Sequence, residues 1–438
     1  DDDEPDSALP EHEAAERDAD VADARPVPTP PDAGAAPASE ADDEAPRAPE
    51  AALTSYAACP AESAMPTLSA VRLLGDRPEL ILGCGRETHV LAIVPSASGG
   101  LMPTRVMTLR LGNERLRGEP EGAAVVTADV NADGRVDLVL GHLVAATRNT
   151  SQQGVLDWIA RDERGGFDAP VALAPIAVSS IAAAELDAAR GAELVALHQA
   201  DRFGRRPSEA WVFGGGAAPA RTTRLDAGAT ARVVRILDLD RDGELDVITL
   251  GDGDPGGRVY FGDGTGRFPR NQALVLAGAR EAAVGNIDGD GAADLIVGGD
   301  SVRLVAARGQ AAQIVAQPLE ITGRASNLHI ADLDGDGRND LLALRAEGVG
   351  VLAQKEPLRF EARPLLDVPL AAGTIVAFIA ADLGGGDALD FALLLDAPEP
   401  RGYELVVVLD PAAHAIAMVS TDPAPIPDAP LSLQIDLR

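Results

Sequence analysis

Basic residues are scarce in this chain. One lysine, Lys355, stands with 36 arginines against 69 acidic residues in 438, for a net charge of −32. The single lysine reads as a genomic composition bias. A chain this acidic offers no basic stripe to a phosphate backbone, so nucleic acid is not an expected partner. Aromatics are 3% of the residues, which argues against an extended stacking platform for sugars. No apolar run approaches the roughly 20 residues that cross a bilayer as a helix, so no spanning helix is expected. Gly-x-Ser-x-Gly, His-Glu-x-x-His and phosphate-loop patterns do not occur. The expectation is a protein that is not an enzyme.

Cysteine is nearly absent. Cys59 and Cys84 are the only two, 25 residues apart. Pairing them would tie the chain's entry to its first repeat and suits an oxidising compartment. The chain does not begin with Met and shows no signal peptide, as expected of a mature form whose export signal was removed. The expected location is extracellular, periplasmic or the outer cell surface.

Residues 1–50 hold seventeen acidic residues, three arginines and nine prolines, with almost no large apolar side chains. Such a segment cannot bury enough surface to offset its ordering entropy. Residues 1–54 are therefore expected to be a disordered, self-repelling linker, a stalk for the remaining chain. A membrane tether upstream of residue 1 would fit that role.

What the sequence has in quantity is one acidic loop, written four times in register. The copies are Asp129-x-Asn131-x-Asp133-Gly134-Arg135-x-Asp137, Asp238-x-Asp240-x-Asp242-Gly243-Glu244-x-Asp246, Asn286-x-Asp288-x-Asp290-Gly291-Ala292-x-Asp294 and Asp332-x-Asp334-x-Asp336-Gly337-Arg338-x-Asp340. Oxygen-bearing side chains at positions 1, 3, 5 and 9 converge on one point. Gly at position 6 allows the sharp turn. Position 7 (Arg135, Glu244, Ala292, Arg338) can offer its backbone carbonyl. That is an oxygen shell suited to calcium, which takes six to eight such ligands. Without a cation, carboxylates this close repel one another. An EF-hand would need Glu at position 12, where this chain has Leu140, Thr249, Val297 and Ala343. Short apolar runs of strand character flank each loop, so each loop joins two strands of a hairpin.

Degenerate copies fill the gaps. Glu185 to Glu193 loses positions 5 and 6, Asp382 to Asp390 keeps only its end carboxylates, and a shortened loop ends at Glu79. Position 9 therefore falls at 79, 137, 193, 246, 294, 340 and 390. Seven units of about fifty residues, with further short strands such as Arg258–Phe261 and Val349–Ala353, predict an all-β, seven-bladed β-propeller over residues 55–438. Closure is expected to pair terminal strands within one blade, with Leu431–Leu437 as the late closing strand.

These repeats resemble the FG-GAP/VCBS family, the calcium-loop propellers also found at the head of integrin α chains. Val259 to Phe268 is similar to that family's Gly-rich third-strand turn. The resemblance covers nearly all of the chain after residue 55. It implies about four Ca²⁺ ions as cofactors and partners bound on the face opposite the calcium loops. Units 1, 3 and 7 depart from the ligand pattern, so no ion is expected there.

On that opposite face, the second-to-third strand connections are long in blades 2 and 3. They carry His142 and Arg148, and His198, Arg202, Phe203 and Arg205, the candidates for ligand contact. Cys84, His142 and His198 also share one place in adjacent blades and form a weaker candidate donor set for a transition metal. The expected function is a monomeric binding or adhesion module for an extracellular protein or glycan, its Ca²⁺ being structural. The alternatives are a polysaccharide-lyase-like enzyme and a structural surface spacer.

Overall fold

The computed structural model describes residues 51–438 apart from 62, 64, 97–100, 113–115, 117, 119, 122, 146–151, 200–206, 277, 309–312, 320, 322–323, 334–335, 346–347, 367–373, 386–388, 399–400, 409–415, 420–423 and 438. The acidic stretch 1–50, expected to be disordered, lies outside them. Every helix or strand among the described residues is a β-strand. β1 (Ala51–Leu53) and β2 (Ser55–Cys59) precede the repeats. β1 pairs parallel with β30 (Ile416–Val419), and β2 pairs parallel with β31 (Ala424–Pro425).

Blade 1 is β3 (Thr67–Val71), β4 (Glu79–Cys84), β5 (Glu87–Pro95) and β6 (Leu101–Leu111). Blade 2 is β7 (Ala123–Ala128), β8 (Asp137–Val144), β9 (Gln153–Ile159) and β10 (Val171–Ala174). Blade 3 is β11 (Val178–Ala184), β12 (Glu193–His198), β13 (Ser208–Gly214) and β14 (Ala220–Gly228). Blade 4 is β15 (Ala231–Leu237), β16 (Asp246–Gly251), β17 (Gly256–Phe261) and β18 (Arg270–Val275). Blade 5 is β19 (Ala279–Gly285), β20 (Asp294–Gly299), β21 (Arg303–Arg308) and β22 (Gln313–Pro318). Blade 6 is β23 (Ser326–Ala331), β24 (Asp340–Arg345), β25 (Gly348–Glu356) and β26 (Arg359–Leu366). Blade 7 begins with β27 (Thr374–Ala381), β28 (Asp390–Asp396) and β29 (Tyr403–Val408). Within each blade, consecutive strands pair antiparallel.

The second strands explain the apolar runs after position 9. Every residue of β4, β8, β16 and β20 is buried. A central strand of a blade has a neighbouring blade against each face. Its sequence therefore reads as an unbroken apolar run, as in Leu138-Val139-Leu140, rather than as an alternation. Seven hydrophobic clusters result, each shared by two consecutive blades. Each fully buried Leu or Ile in them contributes roughly 1.5–3 kcal/mol.

The first strands line the axis. Each touches the first strand of the next blade, and β27 touches β3, which closes the ring. Side-chain-to-backbone bonds reinforce these inner contacts. Thr67 Oγ1 donates to Ala123 O at 3.2 Å, Val234 N to Ser180 Oγ at 3.2 Å, and Arg235 Nε to Ala282 O at 3.0 Å.

Closure follows the expectation of terminal strands meeting in one blade, since the N-terminal β2 joins the C-terminal strands of blade 7. β2 supplies the fourth strand of blade 7, antiparallel to β29, with Tyr56 opposite Leu405. The last strand, β32 (Asp428–Leu437), instead lies parallel to β6 as a fifth strand on blade 1, with Leu437 opposite Leu111. The two chain ends thus cross the same seam in opposite directions. Cys59 and Cys84 form a disulfide with Cα atoms 5.4 Å apart. Because Cys59 ends β2, the bond joins blade 7 to blade 1. It also removes Cys84 from any metal site with His142 and His198.

Candidate metal loops and the opposite cleft

All seven position-9 carboxylates are buried, from 0% exposure at Asp137 and Asp246 to 6% at Glu79. Each accepts the backbone N–H of loop position 2. The donors are Leu73, Val130, Leu186, Leu239, Ile287, Leu333 and Leu383, at 2.6–3.2 Å. In four blades the carboxylate also accepts an N–H just past the third strand or late in it, from Gly215 to Glu193 in blade 3. Arg161 donates to Asp137 at 2.9 Å, Gly262 to Asp246 at 3.0 Å and Gln354 to Asp340 at 2.8 Å. The carboxylate thus fastens the loop to the rest of its blade. Burial raises the pKa of Glu79, Asp137, Glu193 and Asp294, and it raises Asp246 to about 6, with the Asp240 and Asp242 charges adding to the push.

Position 1 serves the turn. Asp129 accepts from Asp133 N at 3.0 Å and Gly134 N at 2.8 Å, and Asp238 accepts from Asp242 N at 3.1 Å and Gly243 N at 3.0 Å. Asp332 accepts from Gly337 N at 2.9 Å. The glycines at position 6 have φ of 82 to 96°, a region closed to most side chains. Position 4 is left-handed as well, at Ala132, Arg241 and Gly289.

Each acidic loop also holds a guanidinium. Position 7 does more than present a carbonyl in two of them. Arg135 bonds Asp133 and Arg161 O, and Arg338 bonds Asp336 and Gln354 O. Arg270 bonds Asp240 within blade 4, and Arg241 reaches across to Asp290 of blade 5. Glu244 and Ala292 at position 7 bring no such side chain. Asp334 lies outside the described residues.

Among the described residues, one loop brings its acidic oxygens together as a cation shell. Asp238, Asp240 and Asp246 place ligand oxygens within 4.8 Å of one another. Asp240 has a side chain 3% exposed, and its Oδ1 is buried with no hydrogen-bond donor. An anionic oxygen held dry and unpartnered is costly unless a cation meets it. The residues of this loop fit Ca²⁺ on that ground. Asn131, Asp242, Asn286 and Asp288 occupy the expected turn positions but do not complete such a cluster.

On the other face, the long connections run from β8 to β9 and from β12 to β13, as expected. Arg148, Arg202, Phe203 and Arg205 lie outside the described residues. His142 is 1% exposed, because β8 continues past it to Val144; it is a core residue and not a surface contact. His198, at the end of β12, lines a cleft of about 370 Å³ between blades 2 and 3. Trp211 of β13 forms its wall, with the His198 ring edge-on at 5.9 Å. Trp211 Nε1 donates to Glu209 Oε2 at 2.9 Å, and the guanidinium carbons of Arg221 and Arg224 sit 4.4 and 4.3 Å from the indole centre. Gly154 lets the walls meet: a Cβ there would lie 2.2 Å from Ala177 Cα. Trp211 and Glu209 are residues that sequence reasoning missed. Period-2 alternation along Ser208–Gly214 is the only signal that marks them.

Residues 238–297 and 286–343 match the FG-GAP-like repeat family. No curated protein matches the chain in sequence. Among solved structures it is similar to an Agrocybe aegerita lectin that recognises non-reducing terminal N-acetylglucosamine, at 16% identity over 80% of this chain and 92% of that one, TM-score 0.47. It is also similar to BBS1N, solved in complex with ARL6DN, at 12% identity over 82% of this chain and 96% of that one, TM-score 0.48. Likeness at that level describes shape alone. The chain folds as a seven-bladed β-propeller, and residues 238–343 of it match FG-GAP-like repeats.

Proposed function

We propose that this propeller is a secreted or surface-exposed binding module that holds Ca²⁺ as a structural ion and meets a protein or glycan on the face opposite its acidic loops. The cleft between blades 2 and 3 carries this reading. It pairs an ordered indole with charged and amide side chains over a rigid scaffold, the usual make-up of a recognition site. The position-9 carboxylates, by contrast, are committed to backbone amides, and the Asp238–Asp240–Asp246 cluster favours an ion over a reacting substrate. The disulfide is compatible with an oxidising, extracellular setting.

Surface-protein and glycan arrays, run with Ca²⁺ and with EDTA, test the reading. A saturable partner whose binding is lost on Trp211→Ala and kept on Asp133→Ala is the expected result. Depolymerisation of uronate polymers, lost on the same face substitutions, would replace a binder with an enzyme.

A further inference from the structure

The binding-module reading names a face; the chemistry of the cleft narrows the ligand. Its floor is apolar and fixed, with Ile176 and Ala177 4% and 2% exposed. Its rim is planar and polar: the amides of Gln152 and Gln153, the His198 ring, the Glu209 carboxylate and the Arg224 guanidinium. Planar groups with paired donors and acceptors suit vicinal hydroxyls, which present the same pairing. A volume of about 370 Å³ is near the lower end of small-ligand sites, roughly 300–1,000 Å³. It suits one or two rings rather than a folded surface.

The charge is unexpected. The chain as a whole carries −32, yet two arginines converge on Trp211, and one of them, Arg224, lines the cleft beside a single carboxylate. Glu209 Oε2 already accepts from the indole and stands 3.8 Å from Arg224 NH1, beyond hydrogen-bond range. Arg221 has no carboxylate partner among the described residues. Contact with the indole restrains each guanidinium, which lowers the entropy lost when an anion docks. A carboxylate accepts such a fork with two parallel bonds.

We propose that the cleft between blades 2 and 3 binds a saccharide bearing a carboxylate, a uronate-type sugar. Its carboxylate would lie on Arg224, its ring on the Ile176–Ala177 floor and its hydroxyls on Gln153 and His198. This rests on the binding-module reading and adds the ligand class.

The test uses the full chain with titration calorimetry. The probes are D-glucuronate, D-galacturonate, the neutral methyl ester of glucuronate, glucose, acetate, and a short peptide with a free C-terminal carboxylate. One or both uronates should bind saturably, with the ester, glucose, acetate and the peptide at least tenfold weaker. Arg224→Gln should weaken uronate binding at least tenfold, Arg224→Lys less, and Gln153→Ala several-fold. The melting temperature and its response to Ca²⁺ should stay unchanged in Arg224→Gln, since that side chain is exposed. No uronate binding, equal binding of the ester or glucose, tighter binding of the peptide, or an unaffected Arg224→Gln each overturns the proposal. An array partner that depends on Trp211 while uronates fail to bind would leave the binding module standing and remove the uronate. Failure of both removes both.

Discussion

Blades 3 and 4 turn the same hairpin with different chemistry. The blade 4 loop carries four aspartates, a glycine at position 6 and a dry oxygen on Asp240. The blade 3 loop has Ala189 and Arg190 where its neighbour has Asp242 and Gly243. Both keep one feature: a buried carboxylate at position 9, Asp246 or Glu193, accepting the position-2 amide. The blade 3 loop gains support from its sides instead. Ala192 N donates to Asp129 O of blade 2 at 2.9 Å, and Gly266 N of blade 4 donates to Leu186 O at 3.1 Å. The hairpin therefore needs position 9. The blade 3 loop lacks the acidic residue of position 5 and the glycine of position 6, and neighbouring blades brace it where they are lost.

The largest test of this comparison removes what the two loops share. Asp246→Ala and Glu193→Ala should each cost about 2–4 kcal/mol in urea denaturation without Ca²⁺, because buried N–H groups lose their acceptor. A tolerated Glu193→Ala would mean that position 9 is not a common fastening.

Next comes what they do not share. Ca²⁺ at a hundred times its Kd should add about 2.7 kcal/mol per occupied site. Asp240→Ala should lose one bound equivalent by calorimetry, whereas Glu185→Ala should leave the Ca²⁺ response intact. A wild-type melting temperature indifferent to EDTA would end the metal account.

The pH dependence separates the loops further. The ion-free folded state holds Asp246 near pKa 6, above its value of 3.8 when unfolded, because burial disfavours the charge. The folded state then binds a proton more tightly than the unfolded chain. Stability from this residue should rise as pH falls from about 6 to about 4, by about 2 kcal/mol. Bound Ca²⁺ holds the carboxylate ionised and should reverse that slope. Glu193 is raised for the same reason, in a loop where no ion is expected. Stability against pH for Asp246→Asn and Glu193→Gln, each with and without Ca²⁺, should show one reversal and one unchanged trend.

The smallest effect concerns position 4. Ala132 has φ of 62°, where Gly289 stands in blade 5. Ala132→Gly should relieve strain at the cost of chain entropy, for a net gain of under about 1 kcal/mol by thermal melting.

The sequence made the blades readable because each is a local event. Two strands meet across a nine-residue loop, and Gly134, Gly243, Gly291 and Gly337 mark the turn. The apolar runs after position 9 marked the second strands. Long-range events were less readable. Nothing local to Tyr56 says that it lies opposite Leu405, or that Leu437 lies opposite Leu111. The bonds from Arg161, Gly262 and Gln354 to position 9 depend on where a third strand ends. His142 resembles a loop residue in sequence because no local signal carries β8 two residues past it to Val144. Trp211 gave no motif; it matters only because blades 2 and 3 bring Gln153, His198 and Arg224 to its edge.

The crossed seam has a mechanical consequence. Tension on the chain before residue 51 enters at β1 and β2, and β2 is held in shear along β29. The disulfide sits at the far end of β2, so load that reaches Cys59 passes into β4 of blade 1. The β32 strand on that blade carries the opposite end of the chain. Load applied to the two termini is thus shunted through the seam of blades 7 and 1, sparing blades 2 to 6. Single-molecule pulling should show β2 of Cys59→Ser rupturing at lower force than wild type, and equal rupture forces would show that the disulfide carries no load.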